Sequence, residues 1–233
     1  MSEVLKIPGL ESAHGLVHGF STVALGSMTQ PAARRAFAER LRLRPDRLTR
    51  ARAVHGRQIA RVDEPAESVA GVDGLVTDRP DLPLLLTCAD CYAIVVFDPR
   101  RRALAVAHAG WRGTAAGIAG GAVTALRQEY GCHAGDLVAG LGPGICGDCY
   151  EVGTEVAERF DVAHLRPSRP GHHLLDLAAA NRAQLETAGV PAANIHAHGA
   201  CTRESSVLPS HRRSQDGNRF ACLAAIILQK PPT

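Results

Sequence analysis

A single α/β domain is what the sequence predicts, and three observations predict it. Short apolar, partly β-branched runs recur between segments with helical apolar spacing along all 233 residues. No composition break, fixed-period repeat or low-complexity linker divides them. The length suits one large core spanning residues 1–233.

In chain order, residues 14–22 read as a strand entering a polar loop. Pro31, at a first-turn position, opens a helix over 31–43 that Arg44-Pro45-Asp46 ends. Residues 48–54 and 58–62 are strand-like and flank His55-Gly56. Asp73-Gly74 turns the chain into a short strand at 75–77, and Pro80 and Pro83 bound the next loop. The centre of the chain is 84–113. Apolar runs at 84–87 and 92–97, the turn Asp98-Pro99-Arg100 and a returning run at 103–107 read as a β-hairpin. A helix over 114–130 follows, with Ile118, Ala122, Leu126 and Tyr130 along one face. Residues 137–141 are a buried strand, 154–160 a short helix, and 164–173 a Pro-rich surface loop. Asp176 caps a helix over 177–187 that Gly189 ends. A strand at 195–198, a long polar loop at 202–217 and a final buried strand at 220–228 complete the chain.

Composition narrows the function. Net charge is only +3 and aromatics are 4%, which argues against nucleic-acid binding and favours small acidic ligands. No window approaches the ~20 apolar residues of a membrane span, and the first ten residues have no signal-peptide pattern, so a cytoplasmic protein without membrane partners is expected. Seven cysteines, an odd number, point to metal binding or reactive thiols rather than a disulfide framework.

His55, Cys91 and His108 each read as the end of an apolar strand, the two histidines directly beside Gly or Ala. Three N/S ligands leave a fourth position open, the pattern of a catalytic rather than a structural zinc. Singly, each histidine also reads as a turn or strand-end residue satisfied by backbone. A rival set is the two Cys-x-x-Cys pairs, Cys88/Cys91 and Cys146/Cys149, but such pairs usually lie within roughly 15–20 residues of each other and these are much farther apart. A redox dithiol is disfavoured because Cys88 and Cys91 are not at a helix start. Arg112, between two glycines at the start of a helix, suits an anion, as do Ser210 and Arg213 in the polar loop before the last strand.

The runs VHG (54–56), DGLVTD (73–78), ADC (89–91), AHAGWRG (107–113), GPGI…CYEVG (142–153), LDL (175–177) and SHRRSQDGNR (210–219) resemble the YfiH-like, laccase-domain family, and AHAGWRG is very specific to it. That family is also called multicopper polyphenol oxidase or purine nucleoside phosphorylase YfiH. The resemblance covers nearly the whole chain. It implies an α/β fold with mixed sheets flanked by helices, and Zn2+ or Cu2+ held by His55, Cys91 and His108. It also implies phosphorolysis of adenosine, inosine, guanosine and S-methyl-5′-thioadenosine, and hydrolytic deamination of adenosine; a monomer or homodimer is expected. Substrate contacts are then expected from Ser21, Arg112, Ser210, Arg213 and Arg219, with Asp73 or Asp90 carrying a proton. Three departures bear on substrate range rather than on the metal: Val23 stands where such sequences carry Arg, Cys88 where they more often have Thr, and His211 where they have Tyr. Arg219 is the expected substitute for the missing cation at 23.

Other readings remain open on the residues alone. A copper-dependent polyphenol oxidase would need several coppers fed by repeated His-x-His pairs, of which the chain has one, His196/His198. A cysteine hydrolase or amidase would use Cys91 as nucleophile and His108 as base. A metal or nucleotide sensor would turn nothing over.

Overall fold

A strand with no polar face must be covered on both sides, and the most apolar runs of the chain are placed accordingly. The computed structural model describes residues 3–228. Its strands are β1 (Val4–Leu5), β2 (Leu16–Ser21), β3 (Thr49–Arg52), β4 (Ile59–Arg61), β5 (Val69–Ala70), β6 (Gly74–Thr77), β7 (Leu84–Cys88), β8 (Tyr92–Asp98), β9 (Ala103–Ala109), β10 (Val138–Leu141), β11 (Glu151–Gly153), β12 (Leu165–Pro167), β13 (His172–Leu175), β14 (Ile195–Ala197) and β15 (Phe220–Ile226). The helices are α1 (Pro31–Arg40), α2 (Trp111–Ala115), α3 (Ile118–Tyr130), α4 (Thr154–Ala157), α5 (Leu177–Thr187) and α6 (His211–Ser214).

Two six-stranded mixed sheets, ordered β1-β2-β15-β7-β3-β5 and β14-β10-β8-β9-β6-β4, stack face to face. The alternation of side chains along each strand shows the layers. Leu84 and Leu86 of β7 and Phe220, Cys222 and Ala224 of β15 meet Ala93, Val95 and Phe97 of β8 between the sheets. The intervening Leu85, Ala221, Leu223 and Ala225 pack outward against Phe37 and Ala38 of α1. On the far side, Ile94, Val96, Ala105 and Ala107 pack against Ile118, Ala122 and Leu126 of α3. The molecule is thus an α/β/β/α stack. No helix among the described residues is long and apolar enough to cross a membrane.

Several expectations change. The hairpin is β8–β9 alone, pairing Tyr92 with Ala109 and Asp98 with Ala103. β7 lies in the other sheet between β15 and β3, so residues 89–91 cross from one sheet to the other. The helix expected over 114–130 starts earlier, at Trp111, and breaks at Gly117, whose φ of 84° is left-handed. Residues 164–173 are not a plain loop: β13 pairs with both β11 and β12 in a small third sheet. These strands are short and mostly half-buried or exposed, so no apolar alternation marks them in the sequence. Ser210 caps a single helical turn, α6, inside the long polar loop. Asp176 does cap its helix, accepting the Ala179 N–H at 2.9 Å.

Candidate functional site

The loop after β3 is closed by a remote carboxylate. Asp73, fully buried, accepts the backbone N–H groups of Val54 (3.1 Å), His55 (2.9 Å) and Gly56 (2.7 Å). That grip holds His55 at a φ of 61°, a left-handed conformation uncommon for a side-chain-bearing residue. The same carboxylate meets Nδ1 of His108 at 3.1 Å, and the His108 N–H donates to the Asp73 carbonyl at 2.7 Å. With Nδ1 engaged, Nε2 is the nitrogen left for a ligand. Cys91 reaches the same point from the crossover between β7 and β8, not from a strand's C-terminal end as its position in the sequence suggested.

The two glycines of AHAGWRG make this convergence possible. A Cβ at Gly110 would lie 2.8 Å from the Cys91 sulfur and 3.3 Å from His55, and one at Gly113 would lie 2.8 Å from the Gly56 carbonyl. The ligand atoms of His55, Cys91 and His108 all fall within 4.8 Å of one another. The two imidazoles meet edge to face, centroids 5.0 Å apart. Burial pushes the Cys91 thiol up, but hydrogen bonds from His108 and His55 outweigh it and leave it below the usual thiol range. Burial likewise opposes protonation of His108, yet its bonds to Asp73 and Cys91 raise it above the usual histidine value. Two imidazole nitrogens and one sulfur, positioned by a buried carboxylate, suit a single zinc-class ion with one position left open.

The cluster opens on a cavity of about 690 Å³. Five arginines line it: Arg50 and Arg52 from β3, Arg112 from α2, Arg212 from α6, and Arg219. Arg112 lies over the Trp111 ring at 4.2 Å and Arg212 over Tyr150 at 4.8 Å. The α2 helix is a single turn, so the attraction for anions here comes from guanidinium groups rather than from a helix dipole.

Other expected residues lie elsewhere or are engaged. Arg213 points away from the cavity and donates to the carbonyls of Thr202, Ser205 and Leu208, tying its own loop together. Ser210 accepts the Arg213 N–H as a helix cap, and Ser21 accepts the Ala221 N–H between strands. Asp90 lines the cavity, but its oxygens take the Thr202 hydroxyl at 2.6 Å and the Arg212 N–H at 2.7 Å. Asp73 is outside the lining. Arg219 reaches the cavity and Val23 does not, being 44% exposed elsewhere. Cys88 faces the core between the sheets. Arg50, Arg52 and Arg212 were missed. The first two stand two residues apart on a strand, hence on one face and just before His55, a signal the sequence did contain.

Similarity to known proteins follows the same residues. The family model described as multi-copper polyphenol oxidoreductase laccase matches residues 29–228. Adenosine deaminase RL5, from an unknown prokaryotic organism, is 42% identical over 149 residues, covering 61% of this chain and 56% of that protein. The match therefore spans little more than half of that relative's length. Purine nucleoside phosphorylase YlmD from Geobacillus stearothermophilus is 36% identical over 199 residues, covering 78% and 73%. Its crystal structure superposes with a TM-score of 0.85 at 30% identity over 93% of each chain. The hypothetical protein YfiH from Bacillus licheniformis superposes with a TM-score of 0.90 at 26% identity over 97% of each. Motifs, stacked sheets and the matched span agree, and the chain belongs to the YfiH-like laccase-domain family.

Proposed function

We propose that the protein is a metal-dependent purine nucleoside enzyme. It would split the glycosidic bond of adenosine, inosine, guanosine or S-methyl-5′-thioadenosine with phosphate, and deaminate adenosine with water. The observation that carries this reading is the convergence of His55, Cys91 and His108 on a cavity edged by five arginines. The names of the relatives supply the substrate class. A zinc-class ion, or copper, which the donor set also accepts, would bring Lewis acidity to the open position.

The chain's own residues supply the rest. Asp73 orients His108 and closes the His55 loop, a positioning role for a carboxylate with no free oxygen facing the cavity. Tyr150 and Trp111 line the cavity and back the guanidinium groups of Arg212 and Arg112. The guanidinium of Arg50 has a buried Nε without a hydrogen-bond partner, and with Arg112 and Arg212 it suits phosphate. In phosphorolysis a phosphate oxygen attacks C1′ as the bond to the base breaks; these cations neutralise the attacking anion and exclude bulk water. Asp90 serves by fixing Arg212. A cavity of about 690 Å³ accommodates a nucleoside together with phosphate.

The Cys91–His108–Asp73 relay also has the form of a thiol hydrolase triad. His55 favours the metal reading, because a second imidazole on the sulfur has no place in such a triad. Product identification on adenosine, with and without phosphate and before and after chelation, tests the proposal. Inosine without phosphate, adenine and ribose 1-phosphate with it, and loss of both on chelation are expected. Turnover that survives metal removal but not iodoacetamide would favour the thiol mechanism, and no turnover on any of the four nucleosides would refute the proposal.

A further inference from the structure

A second ligand cluster lies on the other side of the cavity wall. Cys146, Cys149, Cys201 and Glu204 bring three sulfurs and a carboxylate oxygen within 4.8 Å of one another. We infer that these four residues form a structural divalent-metal site of zinc class, separate from His55, Cys91 and His108.

The backbone is shaped for it. The Cys149 N–H donates to the Cys146 carbonyl at 3.0 Å, a tight turn that points both sulfurs to one side. A second turn, closed by the Ser205 N–H on the Cys201 carbonyl at 3.0 Å, brings up Cys201 and Glu204. The two turns are fastened to each other: Gly144 donates to the Ala200 carbonyl at 3.3 Å and Thr202 donates to the Gly144 carbonyl at 2.9 Å. The Cys146 N–H donates to the Cys201 sulfur at 3.3 Å. A backbone amide aimed at sulfur favours a thiolate, the form that binds metal. The carboxylate of Glu204 has the two thiols as partners, Cys149 at 3.3 Å and Cys146 at 4.0 Å.

The donor set chooses the occupant. Three thiolates exclude magnesium and calcium, which take oxygen ligands, and four protein donors leave no open position, the mark of a structural rather than a catalytic site. On binding, each thiol releases its proton to solvent. Cys201 is buried while Cys146 and Cys149 are half-buried, so an ion can reach the cluster from outside. The partner of the Cys146/Cys149 pair is therefore Cys201 with Glu204, not Cys88 with Cys91.

The placement also gives the ion a purpose. Ile145 and Tyr150, on either side of the first turn, line the large cavity. Thr202, next to Cys201, holds Asp90, which holds Arg212. An ion here would staple two remote segments that carry the cavity wall.

The test uses the full chain with His55 and His108 both replaced by Ala, which removes the first site whatever its function. After zinc loading and desalting, elemental analysis should find about one ion per chain. Cobalt in its place should show intense thiolate-to-cobalt charge-transfer absorption. Adding Cys146→Ser and Cys149→Ser should abolish both signals. If the doubly substituted chain does not fold, Cys149→Ser in the otherwise unaltered chain should lower zinc content by about one ion per chain. A folded His55→Ala/His108→Ala protein that retains no ion overturns the inference. So does a cobalt spectrum without thiolate bands, or a stoichiometry that Cys149→Ser leaves unchanged. Failure of the nucleoside assay would touch none of these readouts.

Discussion

Asp73 and His108 are joined twice, carboxylate to Nδ1 at 3.1 Å and carbonyl to backbone N–H at 2.7 Å, and the same Asp73 side chain holds the loop of His55. One buried carboxylate therefore positions two of the three N/S donors. Asp73→Asn weakens the grip on three amides and loses the charge that orients the imidazole. Zinc affinity should fall ~10–100-fold, read by chelator competition. An unchanged affinity would mean that strand pairing alone places His108.

Gly110 leaves room for the Cys91 sulfur, 2.8 Å from where a Cβ would stand. Gly110→Ala should therefore displace the sulfur or His55, and zinc retention should drop far more than thermal stability. The dihedral angles at Gly110 are open to any residue, with φ at −79°, so a stability loss without metal loss would contradict this account.

Arg112 and Arg213 should separate function from fold. Arg112 faces the cavity and stacks on Trp111. If it holds phosphate, Arg112→Ala should lower phosphate-dependent turnover by about 1.5–3 kcal/mol in transition-state stabilisation while leaving zinc content intact. Arg213 spends its guanidinium on loop carbonyls, so Arg213→Ala should cost about 1–3 kcal/mol of stability instead. Thermal unfolding and steady-state kinetics on both variants decide the matter; the reverse pattern would exchange the two roles.

His18 should set part of the acid sensitivity. It is buried on β2 and accepts the Ile7 N–H at Nε2, 2.9 Å away. Burial, then the charge of Lys6, pushes it from 6.5 down to about 4. The folded value is the lower one, so the unfolded chain takes up a proton that the native chain refuses. Stability is complete above about pH 6.5 and falls as pH drops to about 4, by about 3 kcal/mol in all. Denaturant unfolding across that range should show the slope, and His18→Gln should flatten it. An equal slope in the variant would assign the acid sensitivity to other groups.

What the sequence determined by itself was whatever depends on neighbours along the chain. The wholly apolar runs of β8, β9 and β15 had to be covered on both faces, Asp98 had to turn the hairpin, and Asp176 had to start a helix. The two histidines were legible too, because His55 precedes Gly56 and His108 stands between two alanines, small residues that permit close approach. Tertiary structure decided the rest. Nothing local says that β7 and β8 belong to different sheets, and that crossover is what delivers Cys91. Arg212 and Arg213 read alike, yet one turn of helix aims the first into the cavity and the second at loop carbonyls. Cys146 and Cys149 meet Cys201 and Glu204 only because the chain ahead of the first pair lies alongside the chain ahead of the second, Gly144 bridged to Cys201, a pairing of backbone groups remote in sequence. Side-chain chemistry is written residue by residue, but which groups converge on one point depends on long-range packing.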